Sequence, residues 1–184
     1  MKSNPITNSL SSNLRAASVG LILAVLTLLF GQGMGVIFGL NEDAIKSRLK
    51  SDAAEVQATI YKGDAVASKK VVDKSWNYMQ RAHLHAGGLG TTAVALIIVL
   101  CLVGAPRLVA TLISFVLGAG GLGYSIFWMW AGFRAPGLGS TGAAKESLKW
   151  LAMPSSGGFV LATIAVLVLV IAWTLANRRP QTQS

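Results

Sequence analysis

The chain of 184 residues is poor in charged residues and has only one cysteine and two histidines. Charged side chains make up 12% of it and hydrophobic ones 53%, which excludes an ordinary soluble domain. Cys101 has no partner for an internal disulfide and lies in an apolar run. No HExxH, P-loop or CxxC motif and no recognisable Ser-His-Asp arrangement occurs. These absences favour a non-enzymatic role, although they do not decide it.

Four long segments contain no Asp, Glu, Lys or Arg at all. A bilayer core about 30 Å thick needs roughly 20 helical residues, so each segment is long enough to cross it. Carboxylates of the kind that proton relays and cation-coupled carriers place inside the membrane are missing from them. The sequence predicts an all-α integral membrane protein with four transmembrane helices. They are predicted at residues 16–40, 83–105, 108–132 and 157–177.

The longest hydrophilic segment, residues 41–82, has the spacing of an amphipathic helical hairpin outside the membrane. Its turn is predicted at "KGDA", residues 62–65, where a glycine breaks the helix and Asp64 can cap the next one. The apolar stripe of the first arm consists of Ile45, Leu49, Ala53, Val56 and Ile60, and that of the second arm of Val72, Trp76, Met79 and His83.

The other segments outside the predicted spans are two tails and one loop. Residues 1–15 form a basic tail. Residues 178–184 form a polar tail, and we expect this second tail to be disordered. The loop at 133–156 contains a candidate interfacial helix near 141–152, with Ser140 or Thr141 as its cap and Pro154 at its end.

The net charge of +9 has a distribution that argues against nucleic acid as a partner, because many basic residues stand at membrane ends, where they meet lipid headgroups. Eleven Lys and Arg lie on the side of the long hairpin and five on the side of the tails, and this count favours a cytoplasmic hairpin. The short, purely basic tails and the first helix favour the opposite. We predict a multi-pass protein of the cell (inner) membrane with both termini cytoplasmic.

Glycines are arranged in patterns on three of the predicted spans. The pentapeptide AGGLG occurs at residues 86–90 and 119–123, and a turn at Ala105 and Pro106 would put Gly88 level with Gly123 and Gly90 level with Gly121. Small residues let neighbouring helices approach closely in lipid, and they also leave room for a flat cofactor. The glycines predicted to support helix packing are Gly31, Gly35, Gly39, Gly87, Gly88, Gly90, Gly121 and Gly123.

The two histidines, His83 and His85, lie where the charged segment becomes apolar. Residues two apart on a helix point about 200° apart, so the pair does not chelate one ion easily. Met79 is one turn before His83. Counting outward from the turn at Ala105 and Pro106 puts Trp128 level with His83, and Met129 is next to Trp128. Histidine with methionine suits Cu(I) or a haem b with His/Met ligation. The alternative is a neutral histidine that is hydrogen-bonded near the headgroups.

Two functional hypotheses follow from these patterns. In the first, the chain is an accessory or scaffold subunit of a membrane complex or a homo-oligomer, with lipid, other membrane subunits or its own copies as partners. In the second, it is a redox or metal-handling protein that binds haem or copper. The candidate cofactor ligands are His83, His85 and Met129, and the candidate metal ligands are His83 and Met79.

Overall fold

The computed structural model describes residues 5–177, with side chains from Leu10 onwards, and this part of the chain is helical without strands. Four of its helices are long and apolar enough to cross a membrane, as the sequence predicts. The polar tail at 178–184, predicted to be disordered, lies outside the described residues. The helices are α1 (Pro5–Ala16), α2 (Ser18–Glu55), α3 (Ala65–Leu102), α4 (Arg107–Arg134), α5 (Thr141–Ser147) and α6 (Lys149–Asn177).

Helices α2 and α3 continue well past the predicted membrane boundaries. Each has 38 residues and is therefore about 57 Å long, against a bilayer core of about 30 Å. No helix end falls at residue 82, the predicted start of the second span, whereas the predicted end of the first span at residue 40 lies directly before a kink in α2. We refer to residues 42–55 as the α2 extension and to residues 65–82 as the α3 extension.

Asn41 marks the junction between the span and the α2 extension. Its backbone angles are non-helical (φ −131°, ψ 22°). Its side-chain amide donates a hydrogen bond to the Ile37 carbonyl at 3.2 Å, which is the acceptor that its own backbone N–H would use in a regular helix. A side chain that competes for this carbonyl is a common cause of a kink.

The turn between the two extensions is fixed at both ends. Asp64 caps α3 as predicted, since its carboxylate accepts hydrogen bonds from the backbone N–H groups of Val66 and Ala67, both at 2.9 Å. The Tyr61 hydroxyl donates to the Pro136 carbonyl at 2.8 Å and so attaches the turn to the loop after α4. Burial raises the pKa of Tyr61, which keeps this donor protonated.

The two extensions bury apolar side chains against each other. Leu49 and Ala53 of the α2 extension pack with Val72 and Met79 of the α3 extension and with Tyr61 of the turn. Leu49 and Met79 are almost completely buried.

Helix α4 lies at the centre of the membrane part and packs against α2, α3 and α6. After it, Ser140 caps α5, as one of the two predicted caps, by accepting from the N–H groups of Gly142 and Ala143. The prediction that Pro154 ends the helix is wrong, because α5 ends at Ser147 and Pro154 lies inside α6. An apolar helix tolerates a proline that costs one backbone hydrogen bond when its surroundings satisfy the freed group.

Candidate functional site

His83 is half-buried against the glycine face of α2. Its Nδ1 lies 2.8 Å from the Gly31 carbonyl oxygen. Because a carbonyl only accepts, Nδ1 carries the proton in this bond, and Nε2 of the neutral ring keeps a free lone pair. A Cβ added to Gly35 would lie 2.9 Å from the His83 Cε1 atom. The imidazole therefore occupies space that is present because residue 35 has no side chain.

His85 lies on another side of α3, against α4. Its Nδ1 is 2.8 Å from the Arg81 carbonyl oxygen one turn earlier. The His85 ring centroid is 5.2 Å from that of Tyr124 and 5.9 Å from that of Trp128. Counting from the turn at Ala105 and Pro106 predicted Trp128 near His83, whereas the structure places this indole beside His85.

The two methionines of the predicted sites pack in different clusters. Met79 is buried, and its Cγ would lie 2.7 Å from a Cβ on Gly132 of α4. Met129 is half-buried against the cluster that contains Tyr78 and Trp128. Across residues 5–177, no group of three or more His, Cys, Asp or Glu side chains is placed to hold a metal ion.

Trp128 is the centre of a cluster of aromatic rings on α3 and α4. The guanidinium carbon of Arg81 lies 5.0 Å from the Trp128 ring centroid, and the Tyr78 ring centroid lies 4.8 Å from it. These distances are typical of cation–π and edge-to-face contacts. The Trp128 Nε1–H is buried and has no hydrogen-bond partner among the described residues.

Two cavities open between α2 and α3. The His83 cavity, of about 400 Å³, lies beside Gly35, Gly39 and His83. The second cavity, which we call the basic cleft, has a volume of about 640 Å³ and lies between the two extensions. Trp76 lines both. The basic cleft was missed in the sequence, although the spacing of Lys46 and Lys50, one helical turn apart, places them on one face.

Four of the predicted packing glycines are in close contact with other helices, namely Gly35, which meets His83 as described above, and Gly31, Gly90 and Gly123. Gly31 meets Ala86 of α3, where an added Cβ would be 3.0 Å from the Ala86 Cβ. Gly90 faces Leu28 of α2 at 2.8 Å, and Gly123 faces Ser155 of α6. Gly90 and Gly123 thus face α2 and α6, and not the glycines with which they were predicted to be level.

The remaining predicted glycines divide into two groups. An added Cβ at Gly121 would be 3.5 Å from Leu89 of α3 and from Phe159 of α6, which is ordinary contact. At Gly39, Gly87 and Gly88 it would meet no atom of a neighbouring element within 4 Å. These last three glycines therefore leave surface open rather than close a contact within the chain.

Two glycines that were not predicted lie directly against the backbone of a neighbouring helix. A Cβ on Gly20 would overlap the Ser114 backbone of α4, and a Cβ on Gly118 would overlap the Gly20 carbonyl oxygen. The signal in the sequence is the spacing of small residues by four, with Gly20 before Ala24 and Ser114 before Gly118.

Comparison of the chain with protein-family models, with curated proteins and with solved structures finds no match. The function is therefore argued from the arrangement of these side chains alone.

Proposed function

We propose that the chain is a non-enzymatic accessory or scaffold subunit of a membrane complex, in which a transmembrane helix from another chain covers part of α2 and α3. The proposal rests on the surroundings of the Gln32 side chain. It lies within the uncharged segment 16–40, is exposed, and makes no hydrogen bond to any residue that the structure describes. Lipid offers an amide no partner, whereas a polar side chain on a neighbouring helix does.

The surface beside Gln32 is suited to a close helix contact. The preceding residue, Gly31, touches α3 at Ala86 and Gly87. From Gly87, α3 presents small residues at intervals of four, namely Gly87, Thr91 and Ala95, and all three are at least partly accessible. The Thr91 hydroxyl donates to the Gly87 carbonyl at 2.9 Å, so it presents little polar surface. We call Gln32, Gly87, Thr91 and Ala95 the association face.

We expect wild-type protein, purified in a mild detergent, to appear in native mass spectrometry as an assembly. Because a leucine at residue 87 would hold the partner helix away, Gly87→Leu should weaken the assembly at least tenfold. Gln32→Leu should weaken it about tenfold, which corresponds to an interhelical hydrogen bond of about 1–2 kcal/mol.

The matched control is Gly157→Leu, a change at an accessible glycine of α6 with no atom of another element within 4 Å of an added Cβ. It should leave the assembly intact. A mass that is a multiple of the chain identifies a second copy as the partner, and an additional mass identifies another subunit. A monomer without a copurifying protein, or equal effects of Gly87→Leu and Gly157→Leu, would contradict the proposal.

A second function, binding of haem b or copper at His83, is favoured by one specific observation. A metal-ligating histidine almost always donates its other ring N–H to a carbonyl, a carboxylate or water. The bond from His83 Nδ1 to the Gly31 carbonyl has this form, and the ring borders the His83 cavity. In this hypothesis Nε2 of His83 is the ligand. The predicted second ligands, Met79 and Met129, do not line the His83 cavity, so either of them would have to move to reach the same metal.

We also propose that both termini lie in the cytoplasm of the cell (inner) membrane. The tails carry basic and no acidic residues, which supports this orientation. A cysteine at Lys62, which is exposed in the turn, should react with a membrane-impermeant thiol reagent in intact cells when Cys101 is replaced by alanine. A cysteine at Gln181 should react only after the membrane is permeabilised. The opposite labelling pattern would place the extensions in the cytoplasm.

A further inference from the structure

The basic cleft between the extensions has the size and shape of a small-molecule site. Its volume of about 640 Å³ is within the usual range for ligand pockets, about 300–1,000 Å³. The cleft is open because small side chains, Ala53, Ala54 and Ala65, line it where the extensions approach the turn. It lies outside the uncharged segments, on the part of the chain that faces water or headgroups.

The charge of the cleft is positive. Lys46, Lys50 and Lys69 line it, and Asp73 is the one acidic residue among the lining side chains. Lys69 pairs with Asp73 at 2.6 Å, and both side chains are more than 60% exposed. Lys46 pairs with Glu42, also on the surface. Exposed ion pairs contribute about 0–1 kcal/mol, so an anionic ligand can compete for these ammonium groups.

Lys50 differs from the other two lysines of the cleft. It has no ion-pair partner among the residues that the structure describes. It lies one helical turn from Lys46 on the same face of α2. The unpaired Lys50 ammonium and the Lys46 ammonium, whose exposed pair with Glu42 is weak, can thus receive one carboxylate or phosphate group together.

The remaining wall of the cleft combines apolar side chains with the polar side chains of Gln57, Ser68 and Asn77. Val72 and Ala53 are buried at its base, and Trp76 forms the side nearest the membrane. The Lys46 ammonium lies 5.2 Å from the Trp76 ring centroid. Trp76 also lines the His83 cavity, which borders Gly39 and Gly35 of the uncharged segment as well as Glu42 and Gln80. The Trp76 ring is therefore the one side chain that the two cavities share. From Lys50 to Gly35 the distance along α2 is roughly 22 Å.

We propose that the basic cleft binds an anionic single-chain amphiphile. Its carboxylate or phosphate group lies between Lys46 and Lys50, and its hydrocarbon chain runs past Trp76 toward the membrane. A free inorganic anion would use the lysines but not the apolar wall, and a neutral lipid would use the wall but not the lysines. The inference concerns a site outside the association face and does not depend on the proposed assembly.

The test is a titration of the whole purified protein in a non-ionic detergent, followed by native mass spectrometry. The probes are oleate and dodecyl phosphate, with methyl oleate as the uncharged counterpart and inorganic phosphate as the head group without a chain. We expect one oleate or one dodecyl phosphate per chain. Methyl oleate and inorganic phosphate should bind at least tenfold more weakly, because each uses only part of the site.

The double variant Lys46→Gln/Lys50→Gln should weaken oleate at least tenfold, because it removes two charge-assisted contacts. The matched control Lys62→Gln/Lys70→Gln removes the same net charge outside the cleft and should leave the affinity unchanged. Lys50→Arg keeps the charge and should retain binding. Ala54→Trp should block the cleft without a change of charge, and a circular dichroism spectrum like that of the wild type shows that the variant is folded.

Three results would overturn the inference. Equal affinity for oleate and methyl oleate would show that the lysines do not contribute to binding. Equal affinity for dodecyl phosphate and inorganic phosphate would identify a free-anion site. Equal losses in the cleft variant and in the control variant would show that net charge, and not the cleft, attracts the ligand.

Discussion

Gly118→Ala is expected to lower the free energy of unfolding by about 3 kcal/mol, although alanine is the better helix former. The added Cβ would overlap the Gly20 carbonyl oxygen and come within 2.7 Å of the Leu23 Cβ. Overpacking a well-packed site costs about 1–3 kcal/mol. The upper end applies here because the obstacle is backbone, which cannot rotate away. Gly20→Ala should have a similar effect, since its Cβ would overlap the Ser114 backbone.

The measurement is thermal unfolding in one detergent, and Gly157→Ala is the control. An added Cβ at Gly157 meets no atom of another element within 4 Å, so this variant should be unchanged or slightly more stable, by at most about 1 kcal/mol of helix propensity. The difference between Gly118→Ala and Gly157→Ala isolates the contact between α2 and α4, because the helix propensity gained is the same. Equal midpoints for both variants would mean that α2 and α4 do not approach closely at Gly118.

The four candidate spans are predictable because an uncharged segment of this length has few alternatives to a membrane helix. The boundary at residue 82 does not appear in the structure, because the edge of a bilayer does not end a helix. The boundary at residue 40 coincides with the kink at Asn41 and not with the end of α2. No glycine or proline occurs between residues 40 and 62, so α2 continues to Glu55. The start of α3 was predicted correctly, because it depends on a local interaction in which the Asp64 carboxylate caps the helix.

The partners of individual side chains could not be obtained from the sequence. Counting from a short turn gives the depth of a residue, but it does not say which neighbouring helix the residue faces. Helix α3 packs against both α2 and α4, so Gly90 faces Leu28 of α2 and not Gly121. The same limit explains why His83 contacts Gly31, whereas Trp128 lies beside His85.

The divergence of His83 and His85 leads to a prediction with an all-or-none result. If His83 holds haem or copper, protein from cells supplied with both carries about one cofactor per chain, seen as a Soret band or as copper in metal analysis. His83→Ala should abolish it. His85→Ala should have a smaller effect, because the His85 ring lies edge-to-face against Tyr124 on the side of α4.

Gly35→Ala tests the position of the imidazole while His83 itself is kept. The added Cβ would lie 2.9 Å from Cε1 and 3.6 Å from Nε2 of His83, so the ring must move away from the Gly31 carbonyl and its ligand geometry is lost. Gly33→Ala is the matched control on the same helix, because a Cβ at Gly33 meets no atom of another element within 4 Å and Gly33 does not line the His83 cavity. We expect cofactor content to fall several-fold in Gly35→Ala and to remain unchanged in Gly33→Ala. A colourless, copper-free wild-type preparation would exclude this role for His83, and equal cofactor content in both glycine variants would exclude the ring position as its cause.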